Sequence, residues 1–288
     1  VSGPAPLPDE SLQGSRRSRL LPGIGGGRQS LAISFASTLV FLVVVGALLV
    51  GSPNWPQVRD SFFNADVFRE TFPAIVGGFG INIQLFLVAE VLILPLAMLV
   101  AVMRSLPGPV FTPIRGLAIV YADVFRGLPG ILVIYVLGFG LPGLGIPGMP
   151  KSEFFWGVVT LTLVYSAYVS EVYRAGIDSI HPSQDAAARS LGLSRVQSLR
   201  YVVLPQAVRR VIPPLLNDFI GLQKDTALVG LLGLVESFRR ASIESSAAFN
   251  FTPYLVTALL FLALTLPMAR LVDWLVARSR RNQLAGVR

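Results

Sequence analysis

The stretch "DAAARSLGLSRVQSLRYVVLP", Asp185 to Pro205, lies between two strongly apolar parts of the chain. It opens with small residues, turns at Gly192, becomes basic and closes on Leu204-Pro205. Just upstream, Pro182 suits the first turn of a helix. "SQDAAARSL" is made of good helix formers with three adjacent alanines, and Gly192 is a natural C-terminal cap. Ser194 with Gln197 has the spacing of a capping box that opens a new helix. The segment reads as a short helix, a sharp turn and a second helix. Its small side chains permit close approach by another backbone, as in a helix seated in a partner's groove. An ordinary connecting loop with a surface helix fits the composition equally well.

The surroundings decide the fold class. Of 288 residues, 53% are hydrophobic and 14% charged, whereas soluble domains carry about 25% charged residues. Long runs are nearly free of charge, and no strand alternation of the outer-membrane kind is present. The chain is therefore an all-α polytopic membrane protein. Its net charge is +8, and 22 of its 24 basic residues are arginine. These arginines flank apolar spans and form no basic face, so they point to cytoplasmic loops and anionic headgroups, not to nucleic acid. With no cysteine and one histidine, His181, thiol chemistry is excluded and a His-based metal site is not expected.

Six crossings are expected. The first is "LAISFASTLVFLVVVGALLV", Leu31 to Val50, long enough at about twenty apolar residues to span a bilayer. The others run from about Val76 to Met103, Arg115 to Gly140, Phe154 to Ile177, Pro205 to Leu222 and Pro253 to Val276. Pro213-Pro214 should bend or break the fifth. "TALVGLLGLV", 226–235, is too short to cross and reads as a re-entrant piece. Arg16, Arg17 and Arg19 before the first span, and Arg278 to Arg281 after the last, place both termini in the cytoplasm. Residues 1–30 read as a disordered cytoplasmic tail, with a cleaved signal peptide as the rival reading. Residues 31–72 form an extra N-terminal helix and linker, 73–280 the core domain with the corner helix at about 182–192, and 281–288 a second cytoplasmic tail.

The opening segment resembles the signature of ATP-binding-cassette importer permeases: Glu-Ala-Ala, three residues, Gly, nine residues, Ile, one residue, Leu-Pro. Ala187, Ala188, Gly192, Val202, Leu204 and Pro205 fall on that register. The acidic position holds Ala186, with Asp185 one residue earlier. "GGFGINIQLFLVAEV" (77–91), "YADVFRGLPGILVIYVLGFGLPGLG" (121–145), "AYVSEVYRAGIDSI" (167–180) and "LPQAVRRVIPPLLNDFIGLQKDTAL" (204–228) are similar, in order, to blocks of the polar amino acid uptake subfamily. The resemblance covers about residues 75–280.

It implies the transmembrane subunit of an ATP-driven importer in the bacterial inner membrane: a five-helix core with one added N-terminal helix. Implied partners are cytoplasmic ATP-binding subunits, a second permease subunit, an extracytoplasmic solute-binding protein and membrane lipid. The substrate it implies is a polar amino acid, with glutamate, glutamine or aspartate as the best guess. The chain itself would bind no cofactor; ATP and Mg belong to the ATPase. The ATPase-coupling residues would be Pro182, Gln184, Asp185, Ala186, Ala187, Ala188, Arg189, Gly192 and Leu193.

Charges inside spans cost ~2.5–3.5 kcal/mol at the bilayer centre on insertion scales, so each needs a reason. Glu90 either lines the pathway or, the reading favoured here, is neutralised by an arginine or hydrogen-bonded to a neighbouring helix. Asp123 and Arg126, three apart, read as a self-neutralising pair, with the pathway as the alternative. Glu171, Arg174 and Asp178 form a ladder supporting the corner. Asn217, Asp218, Lys224 and Asp225 converge where an amino acid's carboxylate or ammonium could be held, or else form a gate or packing joint. Tyr121, Tyr165, Tyr168 and Tyr173 read as packing or interface aromatics, and Gly127, Gly130, Gly138 and Gly140 as points of close helix approach.

No catalytic set is present. "GIPGMPKS", 145–152, approaches a Walker loop but has Pro150 in place of the glycine before Lys151. Asp123 and Asp218 sit near span ends, against intramembrane proteolysis. The alternatives to an importer permease are an ion-coupled carrier or channel working without an ATPase, and a scaffold with no pathway.

Overall fold

The central element is α3, Ala65–Ser105, 41 residues long. Asn64 caps it by accepting from the N–H groups of Asp66 and Val67, at 3.0 and 3.1 Å. Its buried positions include Thr71, Ile75, Gly78, Asn82, Leu85, Ala89, Ile93 and Ala97. That three-and-four spacing is one helical stripe turned to the interior. Pro73 and Pro95 lie inside the helix without ending it, as membrane helices allow when neighbours re-satisfy the freed carbonyls.

The computed structural model describes residues 27–106 and 108–285, all of whose regular elements are helical. Most of the 1–30 tail, and residues 286–288 of the last one, lie outside the described residues. The chain divides into two units, residues 1–58 and 59–288. In the first, α1 spans Gly27–Val50 and leaves Phe35, Phe41 and Leu48 exposed. An apolar helix with no polar face needs lipid around it. The short α2, Trp55–Phe62, leads into the second unit, where α3 begins.

Around α3 pack α4 (Thr112–Gly127), α7 (Glu153–Asp178), α11 (Ser237–Ala248) and α12 (Thr252–Ala285). Between α4 and α5 (Gly130–Tyr135) the chain turns by 108°. Leu128 is extended there because Pro129 follows it. A wide turn at Val136–Gly140 carries α5 into α6, Leu141–Gly143. The Walker-like stretch is a loop that ends with Ser152 capping α7. After α7 come the corner helices α8 (Pro182–Ser190) and α9 (Arg195–Ser198), then α10 (Leu204–Asp225) and a tight 3-10 segment, Thr226–Leu232.

The core is formed where α3, α5, α7, α10 and the 3-10 segment meet, around Leu85, Ile93, Ile134, Leu161, Leu222 and Val229. Phe251 donates its N–H to Ser61 at 2.7 Å, and Asn250 Nδ2 donates to Asp60 O at 2.7 Å. These bonds clip the start of α12 to the chain just ahead of α3.

Four stretches are long and apolar enough to cross a membrane: Ala32–Val50, Trp55–Ser105, Glu153–Asp178 and Thr252–Arg278. The bent pair Pro109–Gly127 and Gly130–Gly143 makes a fifth if counted as one span. The expected fifth crossing, α10, does not qualify by composition, because its 22 residues include Arg209, Arg210, Asp218, Lys224 and Asp225. The chain is thus an all-helical membrane protein with four to five such spans.

Two expectations are corrected. Pro213-Pro214 does not break α10, which runs from Leu204 to Asp225 without interruption; the disturbance lies upstream, in the wide turn Leu199–Val203 before Pro205. The last apolar span, Thr252–Arg278, agrees with the expected crossing, and its helix continues through Ala285. Of the four glycines read as approach points, only Gly138 is crowded: a Cβ there would meet Leu232 at 2.4 Å, while Gly127, Gly130 and Gly140 have open space. The tight contacts fall at Gly78, Gly157, Gly176 and Gly230.

Candidate functional site

The corner between α7 and α10 forms as its local signals dictate. His181 caps α8, its Nδ1 accepting from Ser183 N at 3.2 Å, and Pro182 takes the first helical position. At the other end, Gly192 N–H donates to Arg189 O and Leu193 N–H to Ala188 O, at 3.0 and 3.3 Å. This closure needs a left-handed residue, and Gly192 supplies it with φ +89°. The capping box is complete: Ser194 N–H donates to Gln197 Oε1 at 2.9 Å, and Gln197 N–H to Ser194 Oγ at 3.3 Å. Ser198 Oγ donates to Asp185 Oδ1 at 2.6 Å, locking α9 to α8. Arg210 donates to Ser179 O, tying α10 to the end of α7. Ala188 is buried in this joint, while Ala186 and Ala187 face outward.

Above the corner, Glu171 gathers three arginines. Arg104 of α3 reaches Glu171 Oε1, Arg126 of α4 approaches the same oxygen at 3.1 Å, and Arg174 meets Oε2 at 3.0 Å. Arg174 also pairs with Asp178 at 2.9 Å. The expected ladder is present. The expected Asp123–Arg126 pair is not: Arg126 joins Glu171, and Asp123 is exposed without an ion pair among the described residues. The Glu171 carboxylate is less solvated than Asp123, so its attraction for the guanidinium is less screened by water.

A cavity of about 270 Å³ lies between α7 and α10, lined by Val164, Tyr165, Tyr168, Asn217, Asp218, Gly221 and Asp225, with Gly130 of α5. Asp218, Gly221 and Asp225 share one face of α10 by their three- and four-residue spacing. Tyr165 Oη donates to Asp225 Oδ2 at 2.8 Å. Asp218 Oδ2 is buried without a hydrogen-bond partner. Glu90 makes no ion pair among the described residues; it lies within electrostatic range of Asp218 and Tyr173. The favoured expectation for Glu90, an arginine partner or a hydrogen bond to a neighbouring helix, is not met among the described residues. Of the expected pathway residues, Asn217, Asp218 and Asp225 come together at the cavity with Glu90 nearby. Asp123, Arg126 and Lys224 do not line it, and Lys224 is exposed.

Tyr165 and Tyr168, read from sequence as packing residues, line this cavity. A second polar centre was also missed. Glu236 is 0% exposed and Asn82 1%. The Glu236 carboxylate accepts from Asn82 Nδ2 at 3.1 Å, from Phe238 N and Arg239 N at 2.8 Å, and from Ser237 Oγ at 3.3 Å. Asn82 Nδ2 also donates to Thr226 Oγ1 at 3.1 Å. An asparagine inside a membrane span, Asn82, was the available signal.

Residues 93–281 match the family described as the binding-protein-dependent transport system inner membrane component. The chain is similar to the probable glutamine ABC transporter permease protein GlnM of Bacillus subtilis (strain 168). They are 34% identical over 220 residues, 76% of this chain and 99% of that protein. The arginine transport system permease protein ArtQ of the same organism is 33% identical over 195 residues, 67% of this chain and 87% of its own length. A solved structure, a crystal structure of an amino acid ABC transporter with histidines, shares 32% identity. Its TM-score is 0.66, over 72% of this chain and 94% of that one. An inward-facing MetNI methionine ABC transporter superposes with a TM-score of 0.55 at 17% identity, over 71% of this chain and 94% of that one, a likeness of fold alone. With two thirds of its length under the family pattern, the chain belongs to the inner membrane components of binding-protein-dependent transport systems, as an ABC transporter permease.

Proposed function

We propose that this permease moves an amino acid through the α7–α10 cavity, driven by an ATPase that grips the α8 corner. The observation that carries the reading is connectivity. The two helices that wall the cavity are the two that the corner joins, so a displacement of the corner moves Tyr165 and Tyr168 against Asp218 and Asp225. ATP drives transport if it favours one arrangement of this pair over the other. A binding protein delivers solute at the opposite face. The cytoplasmic corner, α10 as a sixth crossing and both termini in the cytoplasm follow from the arginine distribution. A second permease copy or relative completes the pathway.

The cavity chemistry narrows the substrate. Its charged groups are Asp218 and Asp225, its neutral polar groups Asn217, Tyr165 and Tyr168, and no cation among the described residues lines it. Such a site takes an α-ammonium through charge-assisted hydrogen bonds and opposes a second carboxylate on the substrate. Glutamine or a cationic amino acid fits better than glutamate or aspartate. At about 270 Å³, the cavity is near the lower end of the ~300–1,000 Å³ usual for ligand pockets.

The test is uptake into liposomes by the complex isolated with its own ATPase and binding protein. Asp218→Asn should lower uptake at least tenfold while leaving assembly intact. Uptake without ATPase, or an unaltered Asp218→Asn variant, would overturn the reading.

A further inference from the structure

The exposed charge of the corner has one sign. Arg189, Arg195 and Arg200 are exposed, and none forms an ion pair among the described residues. The nearby acids are occupied: Asp178 by Arg174, and Asp185 by the Ser198 hydroxyl. The position where the resembling signature carries glutamate is Ala186, which is exposed. On either side of the Gly192 turn, Leu191 is 84% and Val196 74% exposed, two bare aliphatic side chains at the part of the corner furthest along the chain from both α7 and α10.

We propose that the corner fits a groove on the ATPase that is apolar at its floor and acidic at its rim. Leu191 and Val196 fill the floor, and Arg189 and Arg195 face carboxylates. The inference rests on the ATPase reading above and adds the polarity of the contact: cations on the permease, anions on the motor. The acid of the signature is absent at Ala186, and Asp185 is engaged through Oδ1 by Ser198 within the corner, so the exposed arginines are the stronger charged contacts of this face.

Anionic lipid is the rival occupant, since arginines near a membrane attract headgroups. Two features favour a protein groove. The corner is fixed by the His181 cap, the Gly192 closure, the Ser194–Gln197 box and the Asp185–Ser198 bond; such preorganisation serves a preshaped partner and is wasted on a fluid surface. The outward Ala186 and Ala187 also leave room for a partner's backbone, which lipid does not require.

The experiment measures binding of the purified ATPase subunit of the complex to the permease in nanodiscs. Raising salt from low to high should weaken wild-type binding at least tenfold, because rim charges are screened. Arg189→Glu should cost at least tenfold at low salt, and Arg189→Lys much less. The decisive variant is Ala186→Glu, which restores the missing acid: it should weaken binding. Both sites are exposed, and unchanged thermal unfolding of each permease variant verifies its fold. Tighter binding by Ala186→Glu, or salt-insensitive binding unaffected by Arg189→Glu, overturns the proposal and leaves the ATPase reading intact. Arg189→Glu that spares ATPase binding but lowers affinity for phosphatidylglycerol vesicles assigns the cations to lipid, and also overturns it. A wild-type permease that binds no ATPase at any salt removes the underlying reading and this inference with it.

Discussion

Glu171 and Glu236 are both carboxylates drawn into the helix bundle, and the chain holds them in opposite ways. Glu171 is held by charge, from Arg104 on α3, Arg126 on α4 and Arg174 on its own helix. Glu236 meets no cation among the described residues. It is held by dipoles: two backbone N–H groups opening α11, the Asn82 amide and the Ser237 hydroxyl. A negative charge at a helix N-terminus is favoured by the aligned peptide dipoles. The two solutions differ in tolerance. The Arg126 and Arg174 side chains are roughly two-fifths exposed, so water can replace part of what they lose. Nothing replaces the donors around Glu236, which is sealed.

The largest effect should therefore come from Glu236→Ala. It strands the donors of Asn82, Phe238 and Arg239 inside the protein, and a loss of about 3–5 kcal/mol is expected. Thermal or denaturant unfolding of the purified permease measures it. Glu236→Gln keeps one acceptor oxygen and should cost less than half as much. Equal losses for the two variants would show that the charge itself, and not the acceptor geometry, holds the joint.

The ionic centre should break more gently. Glu171→Gln should cost about 2–3 kcal/mol, less than a fully buried pair because two of its arginines reach water. Arg104 is 11% exposed against 39% for Arg126. Arg104→Gln should therefore destabilise more than Arg126→Gln. High salt should shrink the Arg126 effect and leave the Glu236 effect unchanged; a salt-sensitive Glu236 effect would erase the contrast.

A third comparison tests packing at the same joint. A Cβ on Gly78 would lie 2.8 Å from Ser237 N and 2.9 Å from Glu236 C, both backbone atoms. Gly78→Ala must push the α11 entry away from α3, at about 1–3 kcal/mol. Gly127→Ala meets nothing within 4 Å; at the last position of α4 it should change unfolding by at most about 0.5–1 kcal/mol, toward stability.

These contrasts also mark what the sequence could tell. The corner was legible because each of its devices is local: Pro182 at a helix start, Gly192 at a helix end, Ser194 and Gln197 three apart. The Glu171 centre was legible only within one helix. Arg174 and Asp178 follow from spacing, but Arg104 and Arg126 arrive from elsewhere in the chain, and the nearer acid, Asp123, loses to a less solvated one. The cavity was half legible for the same reason. Asn217, Asp218 and Asp225 cluster in sequence, while Tyr165, which bonds Asp225, sits 60 residues away. Pro213-Pro214 misled because proline's cost in a helix was weighed without neighbours. The short 226–235 piece was seen as non-spanning, but not its fastening: Glu236 follows it directly and bonds Asn82, 154 residues distant.

The smallest expected effect belongs to the corner. Ser198→Ala removes the 2.6 Å bond to Asp185. Asp185 is only partly buried, so water can solvate the freed carboxylate, and the loss should be about 1 kcal/mol. Because α8 and α9 project from the ends of α7 and α10, the loss should remain local. Global unfolding should barely move, while backbone amides of α8 exchange with solvent about fivefold faster, the factor that 1 kcal/mol gives in an opening equilibrium. Asp185→Asn, which still accepts from the hydroxyl, should fall between Ser198→Ala and the wild type. If Ser198→Ala instead lowers global stability as far as Glu236→Ala does, the corner is part of the bundle's cooperative core. It would then be unable to shift as a separate lever, and the transmission from corner to cavity would need the whole of α7 and α10 to move as one body.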